Sequence, residues 1–315
     1  MAELIFVIFS RKLFLVFLVS LIFITPQLMS RETISEQLEY LDKYVFCFIG
    51  DSGKVNAVQG KVAKALSNSD CTHIWHTGDI VYPSGINSAN DPNFSDKFLI
   101  PFKELFKKEI PFFLTLGNHD HKKSPKAFLE IASSEPLINF PNYFYQKDFG
   151  SICFVALDTT VFDKIYMFNR RDIQIKWLKK TKESLKNSCK FSVAVGHHPL
   201  FSSGDRKRAT PQLSMFLKNH IFGSFDVYVS GHNHVLADEG ALKETIQLIS
   251  GAGSLPGGSP KVEPEGIFNQ ERPGFLKLTF YFKGNSIYGN YKFISAETGR
   301  TVWENNRVGK GIRLN

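Results

Sequence analysis

The stretch Gly117-Asn118-His119-Asp120-His121 follows directly on the apolar run Phe112 to Leu116. The run has the length and composition of a buried strand, and the polar residues begin where that strand ends. In open α/β sheets, ligand-binding groups gather outside the carboxyl ends of the strands. The stretch therefore predicts a functional site at the end of one strand.

The same pattern, an apolar run followed by glycine and then by a residue that can bind a metal ion, recurs along the chain. The other runs end in Gly50-Asp51, Gly78-Asp79, Gly196-His197 and Gly231-His232-Asn233-His234. Glycine permits a sharp exit from a strand, and Asp, Asn and His are common metal ligands. Five strand ends therefore direct such residues to one place.

The segments between these runs indicate alternating strands and helices. Val55, Val58, Val62 and Leu66 recur at helical spacing between two of the runs, which predicts a βαβ unit. Further helices are predicted at Pro125–Ile131, Arg170–Asn187 and Gln212–Asn219, strands at Ile152–Leu157, Gln247–Ile249, Phe275–Phe282 and Ser286–Phe293, and a loop at Gly251–Gly274. This order is typical of a layered α/β domain.

The length and the N-terminus predict one exported catalytic domain. The chain has 315 residues and 43% hydrophobic content, enough for one large core. Arg11-Lys12 precedes the uncharged run Leu13 to Thr25 and Pro26, which is the order of a signal peptide. We expect residues 1–30 to be a signal peptide or, alternatively, an uncleaved membrane anchor, residues 31–43 a linker, and residues 44–315 the domain. The protein is then secreted, periplasmic or extracellular.

Charge and cysteine usage limit the class further. The formal net charge of +8 attracts anions in general, with phosphate-bearing substrates as one case among several, and a solvated lysine-rich surface explains most of the excess. We expect no nucleic-acid partner, no membrane contact beyond the N-terminal segment, and a monomer. The four cysteines form no Cys-x-x-Cys pair, and Cys47 and Cys153 lie in predicted strands. A buried free thiol in a strand acts as a small apolar residue, whereas disulfides are permitted in an exported chain but not indicated by the spacing, so the sequence leaves the disulfide state open.

The candidate ligands outnumber the requirements of one tetrahedral ion. They are Asp51, Asp79, Tyr82, Asn118, His197, His232 and His234. Any one of them alone has a structural explanation as a turn or capping residue, but seven at matching strand ends do not. The set suits two ions that share a carboxylate, an arrangement that stabilises both the attacking and the leaving oxygen in phosphoester hydrolysis.

The order Gly-Asp, Gly-Asp-x-x-Tyr, Gly-Asn-His-Asp, Gly-His and Gly-His-x-His resembles the calcineurin-like metallophosphoesterases. The resemblance extends from Val45 to Ser254. It implies a four-layer α/β/β/α sandwich that carries a dinuclear metal centre.

Two details make the chain similar to the short, tartrate-resistant type of purple acid phosphatase. Asp51-Ser52-Gly53 lacks the histidine of the usual Asp-x-His motif, and Tyr82 stands three residues after Asp79. A phenolate is a hard donor that favours ferric iron. The resemblance then implies that Asp51, Tyr82 and His234 hold Fe³⁺ and that Asp79 bridges. Asn118, His197 and His232 would hold a divalent ion, Fe²⁺, Zn²⁺ or Mn²⁺.

The resemblance also implies catalytic roles. His119 is expected to contact the substrate phosphate and assist the leaving group, positioned by Asp120. A second substrate-facing histidine of the family is absent, and Arg206 and Lys207 stand in that region as candidate substrate-binding residues. The predicted function is an acid phosphatase that hydrolyses phosphate monoesters by in-line attack of metal-bound hydroxide. The alternatives are a phosphodiesterase or nucleotidase of the same superfamily, and a non-catalytic binding protein.

Overall fold

A computed structural model describes residues 43–163, 168–203, 209–257, 266–283 and 286–305. Its first sheet contains β1 (Lys43–Ile49), β2 (His73–His76), β3 (Phe112–Leu114), β4 (Ile138–Asn139), β12 (Gly274–Lys283), β13 (Ser286–Ser295) and β14 (Thr301–Asn305), in the order β14-β13-β12-β1-β2-β3-β4. Strands β1 to β4 are parallel. Their carboxyl ends therefore lie along one edge.

The second sheet also has parallel strands at its centre. It contains β5 (Tyr145–Phe149), β6 (Ile152–Ala156), β7 (Phe191–Val195), β8 (Val227–Ser230), β9 (Leu236–Leu242), β10 (Thr245–Ser250) and β11 (Phe268–Gln270), in the order β11-β9-β10-β8-β7-β6-β5. Strands β6, β7, β8 and β10 run parallel. Their carboxyl ends likewise share an edge.

Helices connect the parallel strands. They are α1 (Ala57–Ser67), α2 (Pro92–Phe94), a π-helical turn (Ser95–Leu99), α3 (Lys103–Lys107), a 3₁₀ turn (Asp120–Lys122), α4 (Lys126–Ser134), α5 (Thr160–Asp163), α6 (Phe168–Ser188) and α7 (Pro211–His220). Helix α1 begins at its N-cap Asn56, whose side chain accepts from the amide of Gln59. Pro101 lies between the π-helical turn and α3.

Aromatic side chains join the layers. Between the sheets, the Phe46 and Trp75 rings lie 4.6 and 4.8 Å from the Phe154 ring, centroid to centroid. On the outer side of the first sheet, the Phe98 ring lies 5.1 Å from the Phe112 ring. Helices α6 and α7 pack on the second sheet in a separate cluster that includes Leu178 and Phe216. The four-layer α/β/β/α sandwich predicted from the sequence is confirmed.

The cysteines, whose state the sequence left open, form two disulfides. Cys47 is bonded to Cys71, and Cys153 to Cys189, each with a Cα–Cα separation of 5.8 Å. Each bond joins a strand of a βαβ unit to the second residue before the next parallel strand. The sequence spacing does not reveal this relation, because the helix between the strands brings together residues that are far apart in the chain.

Strands β9 and β11 are among those that the sequence did not predict. Strand β9 contains Asp238 and Glu239, which break the apolar pattern of a buried strand. Asp238 is nevertheless fully buried, and its carboxylate accepts hydrogen bonds from Tyr291 Oη and Trp303 Nε1. The predicted loop Gly251–Gly274 includes β11.

Several predictions fall on residues outside the described ranges. These are the signal peptide or anchor at 1–30, all but the last residue of the linker at 31–43, and the substrate-binding residues Arg206 and Lys207. Across the part of the chain that the structure describes, no helix combines the length and the hydropathy of a membrane span.

Candidate metal centre

The ends of five parallel strands bring the seven predicted ligands together. Asp51 follows β1, Asp79 and Tyr82 follow β2, Asn118 follows β3, His197 follows β7, and His232 and His234 follow β8. The first three strands belong to one sheet and the last two to the other. The centre therefore forms where the carboxyl edges of the two sheets meet.

One group of ligands surrounds the hydroxyl of Tyr82, and we call Asp51, Tyr82 and His234 the tyrosine cluster. Tyr82 Oη lies 2.9 Å from Asp51 Oδ1 and 3.1 Å from His234 Nε2. His234 Nε2 is 3.4 Å from Asp51 Oδ1. Three donor atoms from three different loops thus enclose one position.

A second group, the histidine cluster, consists of Asn118, His197 and His232. Asn118 Oδ1 lies 3.1 Å from both His197 Nε2 and His232 Nδ1. The two imidazole nitrogens are 3.3 Å apart. His197 Nδ1 lies 2.9 Å from the carbonyl oxygen of Thr77, so that Nδ1 donates and Nε2 is left as the ligand atom.

Asp79 contacts both clusters. Its Oδ2 lies 2.9 Å from Tyr82 Oη, and its Oδ1 lies 3.5 Å from His197 Nε2. The backbone amide of His119 also donates to Oδ1 at 2.9 Å. One carboxylate oxygen therefore faces each cluster, which is the arrangement that a bridging ligand needs.

The spacing of the donor atoms fits metal ions. With bonds of about 2.1 Å, neighbouring donors are about 3.0 Å apart in an octahedral site and about 3.4 Å apart in a tetrahedral one. The separations within and between the clusters lie between 2.9 and 3.5 Å. Carboxylate, phenol, amide and imidazole donors without thiols are suited to iron, zinc or manganese. The residues present thus fit a dinuclear centre.

The ionisation of the tyrosine cluster depends on its burial. Burial raises the pKa of Tyr82, and the negative charges of Asp51 and Asp79 raise it further. Burial also disfavours the Asp51 carboxylate, but the hydrogen bond from His234 and the nearby His197 outweigh it and hold the pKa of Asp51 below its usual value. The Tyr82 hydroxyl lies at 2.9 Å from both carboxylates and can donate its single hydrogen to either of them.

Three candidate ligands have left-handed backbones, which the sequence did not indicate. Asp51, Asp79 and His232 have φ angles of 57°, 55° and 65°. This region is unfavourable for residues with a Cβ, although Asp and His enter it more often than most. Such backbone strain is a common feature of functional sites.

The glycines of the repeated motif serve mainly to permit close approach. A Cβ on Gly117 would overlap Asp79, both at its carboxylate and at its backbone nitrogen. Gly78 is the exception, because its φ of 100° also requires glycine. The sequence predicted glycine at these positions for a sharp exit from the strand. The structure adds a second reason, because neighbouring strand ends approach too closely to leave room for a Cβ.

His119 lies at the rim of the centre. Its side chain is 27% exposed, and its Nε2 lies 4.0 Å from Asp79 Oδ2. Its Nδ1 lies 2.6 Å from the carbonyl oxygen of Pro83 and 3.0 Å from Lys122 Nζ. Nδ1 thus lies between an acceptor, the Pro83 carbonyl, and a donor, the Lys122 ammonium, while Nε2 faces the site. Lys122 was missed in the sequence, although its i+3 spacing from His119 in a helical turn places the two side chains together.

Asp120 holds the loop of His119 rather than its ring. The carboxylate accepts from the amides of Ile80, Val81 and Gly117 at 2.9 to 3.1 Å. Burial, together with the charge of Asp79, raises the pKa of Asp120 to about 7, against the effect of those amides. Asp120 therefore connects the loops after β2 and β3.

Two further histidines lie beside the centre, and the sequence left their roles open. His121 Nε2 is 3.1 Å from Asp158 Oδ1, and both side chains are buried. His198 is buried as well, and its Nδ1 lies 2.9 Å from Thr159 Oγ1. His73 and His76 lie in β2, and burial lowers the pKa of His76 to about 3.

Two clusters of hard donors that share a carboxylate, at the strand ends of a four-layer sandwich, define a metal-dependent phosphoesterase. Comparison with known families agrees, because a family model described as calcineurin-like phosphoesterase matches residues 44–236. The chain belongs to this family.

Its relatives include acid phosphatases. Tartrate-resistant acid phosphatase type 5 of Rattus norvegicus is 22% identical over 284 residues, which cover 79% of this chain and 82% of the relative. Purple acid phosphatase 17 of Arabidopsis thaliana is 29% identical over 237 residues, covering 66% and 68%. Among solved structures, GAP50, the anchor in the inner membrane complex of Plasmodium, has a TM-score of 0.71 at 24% identity and covers 85% of this chain and 89% of its own. That likeness shows a shared fold.

Proposed function

We propose that this protein is an acid phosphatase that hydrolyses phosphate monoesters at a dinuclear centre. The observation that carries the proposal is the position of Asp79, with Oδ2 2.9 Å from Tyr82 Oη and Oδ1 3.5 Å from His197 Nε2. A carboxylate shared between two donor clusters is needed for a two-ion centre and has no purpose in a one-ion site. The acid phosphatases among the relatives support the same activity.

The donor chemistry favours ferric iron in the tyrosine cluster and a divalent ion in the histidine cluster. Asp51, Tyr82 and His234 would hold Fe³⁺, Asn118, His197 and His232 would hold Fe²⁺, Zn²⁺ or Mn²⁺, and Asp79 would bridge. Burial raises the pKa of Tyr82, so only a strongly charged ion can displace its proton. When bound, the two ions supply positive charge for the phosphoryl oxygens and acidify water for an in-line displacement.

The protein's own groups then orient the substrate and supply a proton. His119 Nε2 faces the centre, while Nδ1 is held by the Pro83 carbonyl. In its charged form the His119 ring can therefore donate from Nε2 to the departing alcohol oxygen. Asp120 keeps the loop in place through three backbone amides. Arg206 and Lys207 remain candidates for charge complementarity with the phosphate.

Metal analysis and the visible spectrum of the purified protein test the proposal first. We expect two metal ions per chain and a broad band in the purple region, which disappears in Tyr82→Phe because the phenolate-to-iron transition is lost. Two ions without that band would retain the phosphoesterase and overturn the iron assignment. Purified protein that contained no metal and showed no phosphatase activity would contradict the proposal that this protein is an enzyme.

Two alternatives have clear tests. A phosphodiesterase of the same superfamily would hydrolyse bis(p-nitrophenyl) phosphate faster than p-nitrophenyl phosphate, and we expect the reverse. The second alternative is a non-catalytic binding role, which is suggested by GAP50, described as an anchor in a membrane complex. The seven ligand side chains argue against that role here, since a binding protein has no need to keep donor atoms 2.9 to 3.5 Å apart around two positions.

An exported location belongs to the same proposal. Both disulfides are closed, which is typical of chains that fold in an oxidising compartment. Expression with and without residues 1–30, followed by assay of the medium and the cells, tests it. Retention of the full-length protein inside the cell would contradict export.

A further inference from the structure

A pocket of about 180 Å³ lies at the end of β6, next to the proposed metal centre. Its walls include Tyr143, Phe144, Asp158, Arg170 and Ile173, all of them described residues. A water molecule occupies about 30 Å³ of liquid, so the pocket has room for about six groups of that size. It is too small for a whole large ligand but large enough for the organic part of a small phosphate ester.

Strand register places this pocket beside the reacting groups. Ala156 of β6 is paired with Val195 of β7, and Asp158 and His197 each lie two residues further along. Adjacent strands are about 4.8 Å apart, so the pocket wall at Asp158 is the immediate neighbour of a candidate ligand. Asp158 also contacts His121, which lies two residues after His119. The pocket wall at Asp158 therefore contacts the loop that carries His119.

The two charged residues that line the pocket, Asp158 and Arg170, do not pair with each other. Asp158 Oδ1 lies 3.1 Å from His121 Nε2, and both side chains are buried. Burial lowers the pKa of His121, but the charge of Asp158 outweighs it and holds that pKa above its usual value. The guanidinium of Arg170 lies 5.2 Å from the centroid of the Tyr143 ring. Among the described residues no carboxylate lies within ion-pair distance of Arg170, so its charge is available to an anionic group.

Buried polar atoms next to the pocket also lack hydrogen-bond partners. Within the described ranges neither ring nitrogen of His121 makes a hydrogen bond, although both are shielded from solvent. The His121 ring packs against Tyr143, a wall of the pocket, with 6.4 Å between centroids. Unsatisfied buried polar groups are costly unless a ligand or water meets them.

We propose that this pocket is a leaving-group subsite, in which Arg170 recognises an acidic group on the alcohol part of a phosphate monoester. The inference rests on the proposed phosphatase function and narrows its substrates to esters with a second anionic group. The acidic group is a carboxylate or a second phosphate, since both accept paired hydrogen bonds from a guanidinium. Tyr143 and Ile173 provide the apolar walls for the carbon atoms between the two ends.

Three aryl phosphates and three proteins test the proposal. The substrates are 4-nitrophenyl phosphate, 4-carboxyphenyl phosphate and 1,4-phenylene bisphosphate, which differ at the position far from the scissile bond. The proteins are wild type, Arg170→Gln, and the control Lys176→Gln, which removes an equal charge from an exposed position on the same helix α6. Each variant is compared with wild type on the same substrate, so differences in leaving-group reactivity cancel.

Arg170→Gln should lower kcat/KM about tenfold for at least one of the two acidic substrates and less than twofold for 4-nitrophenyl phosphate. A loss with only one acidic substrate identifies carboxylate or phosphate as the preferred group. Lys176→Gln should change none of the three ratios. An equal loss on all three substrates, or no loss on any, overturns the subsite. Failure of wild type to hydrolyse any of them overturns the proposed phosphatase instead, so the two failures can be distinguished.

Discussion

The tyrosine cluster and the histidine cluster have similar donor spacings but different charges. In the tyrosine cluster, Asp51, Tyr82 and the shared Asp79 offer oxygen atoms that can each carry a negative charge. In the histidine cluster the donors besides Asp79 are neutral, an amide from Asn118 and two imidazoles. Since the separations are alike, at 2.9 to 3.5 Å, geometry does not distinguish the two positions. Charge does, and we therefore expect a trivalent ion in the first cluster and a divalent ion in the second.

Removing Asp79 should break both clusters and have the largest effect. Asp79→Ala deletes a side chain that contacts both Tyr82 and His197. We expect loss of both metal ions and a fall in kcat/KM of roughly a thousandfold, the upper end of what one electrostatic group contributes. Metal analysis and hydrolysis of p-nitrophenyl phosphate measure this. The exposed Asp96→Asn is the control, and a variant at 79 that kept both ions would contradict the bridging role.

Removing Asn118 should affect one cluster alone. In Asn118→Leu, the amide oxygen that lies 3.1 Å from both His197 and His232 is lost. We expect metal content to fall from two ions to one, with an affinity loss of about a hundredfold at the histidine cluster. The visible band that depends on Tyr82 should persist. Loss of the band in this variant would show that the clusters do not bind their ions independently.

Crowding the shared carboxylate should have an intermediate effect. In Gly117→Ala the new methyl group would overlap Asp79, so we expect Asp79 to shift and stability to fall by about 1 to 3 kcal/mol. Gly60→Ala is the matched control, because nothing lies near its Cβ in helix α1 and a gain of about 0.5 to 1 kcal/mol is expected. Urea unfolding and metal content are measured for both. Full activity in Gly117→Ala would contradict the close contact.

The smallest expected effect on the two clusters comes from Glu239, which is a ligand of neither cluster and makes the stability of the protein depend on pH. Burial raises the pKa of Glu239 to about 7 from 4.5, despite hydrogen bonds from Ser203. The folded state therefore binds this proton more tightly than the unfolded state. The protonated Glu239 side chain therefore adds to the free energy of unfolding. This contribution is complete below pH 4.5 and is lost as the pH rises to about 7, by at most about 3 kcal/mol.

Glu239→Gln should flatten this dependence without changing the metal content. Urea unfolding on either side of the window from pH 4.5 to 7 provides the measurement, with the exposed Glu135→Gln as control. If the free energy of unfolding of Glu239→Gln still fell with rising pH over this window, another group would cause the pH dependence. The ligands of the two clusters would then have to be tested as that group.

The ligands could be predicted because each follows a buried strand, and parallel strands in one layered fold must end at a common edge. The disulfides and the contact between His121 and Asp158 could not. They join residues on different strands, and their proximity depends on sheet order and helix length rather than on local pattern. Strand β9 was missed for another reason. An aspartate such as Asp238 is expected at the surface. It is buried here because Tyr291 and Trp303, which lie far along the chain, donate hydrogen bonds to its carboxylate.

The two disulfides also determine how the chain responds to proteolysis. Each encloses a continuous segment, 24 residues apart for Cys47 and Cys71 and 36 for Cys153 and Cys189. A single cut within either segment leaves the two products covalently joined, whereas a cut between Cys71 and Cys153 separates them. Gels run with and without reductant would therefore reveal different fragment patterns from the same digest. A protein cut once within either segment would stay one covalent molecule until a reductant opens that disulfide.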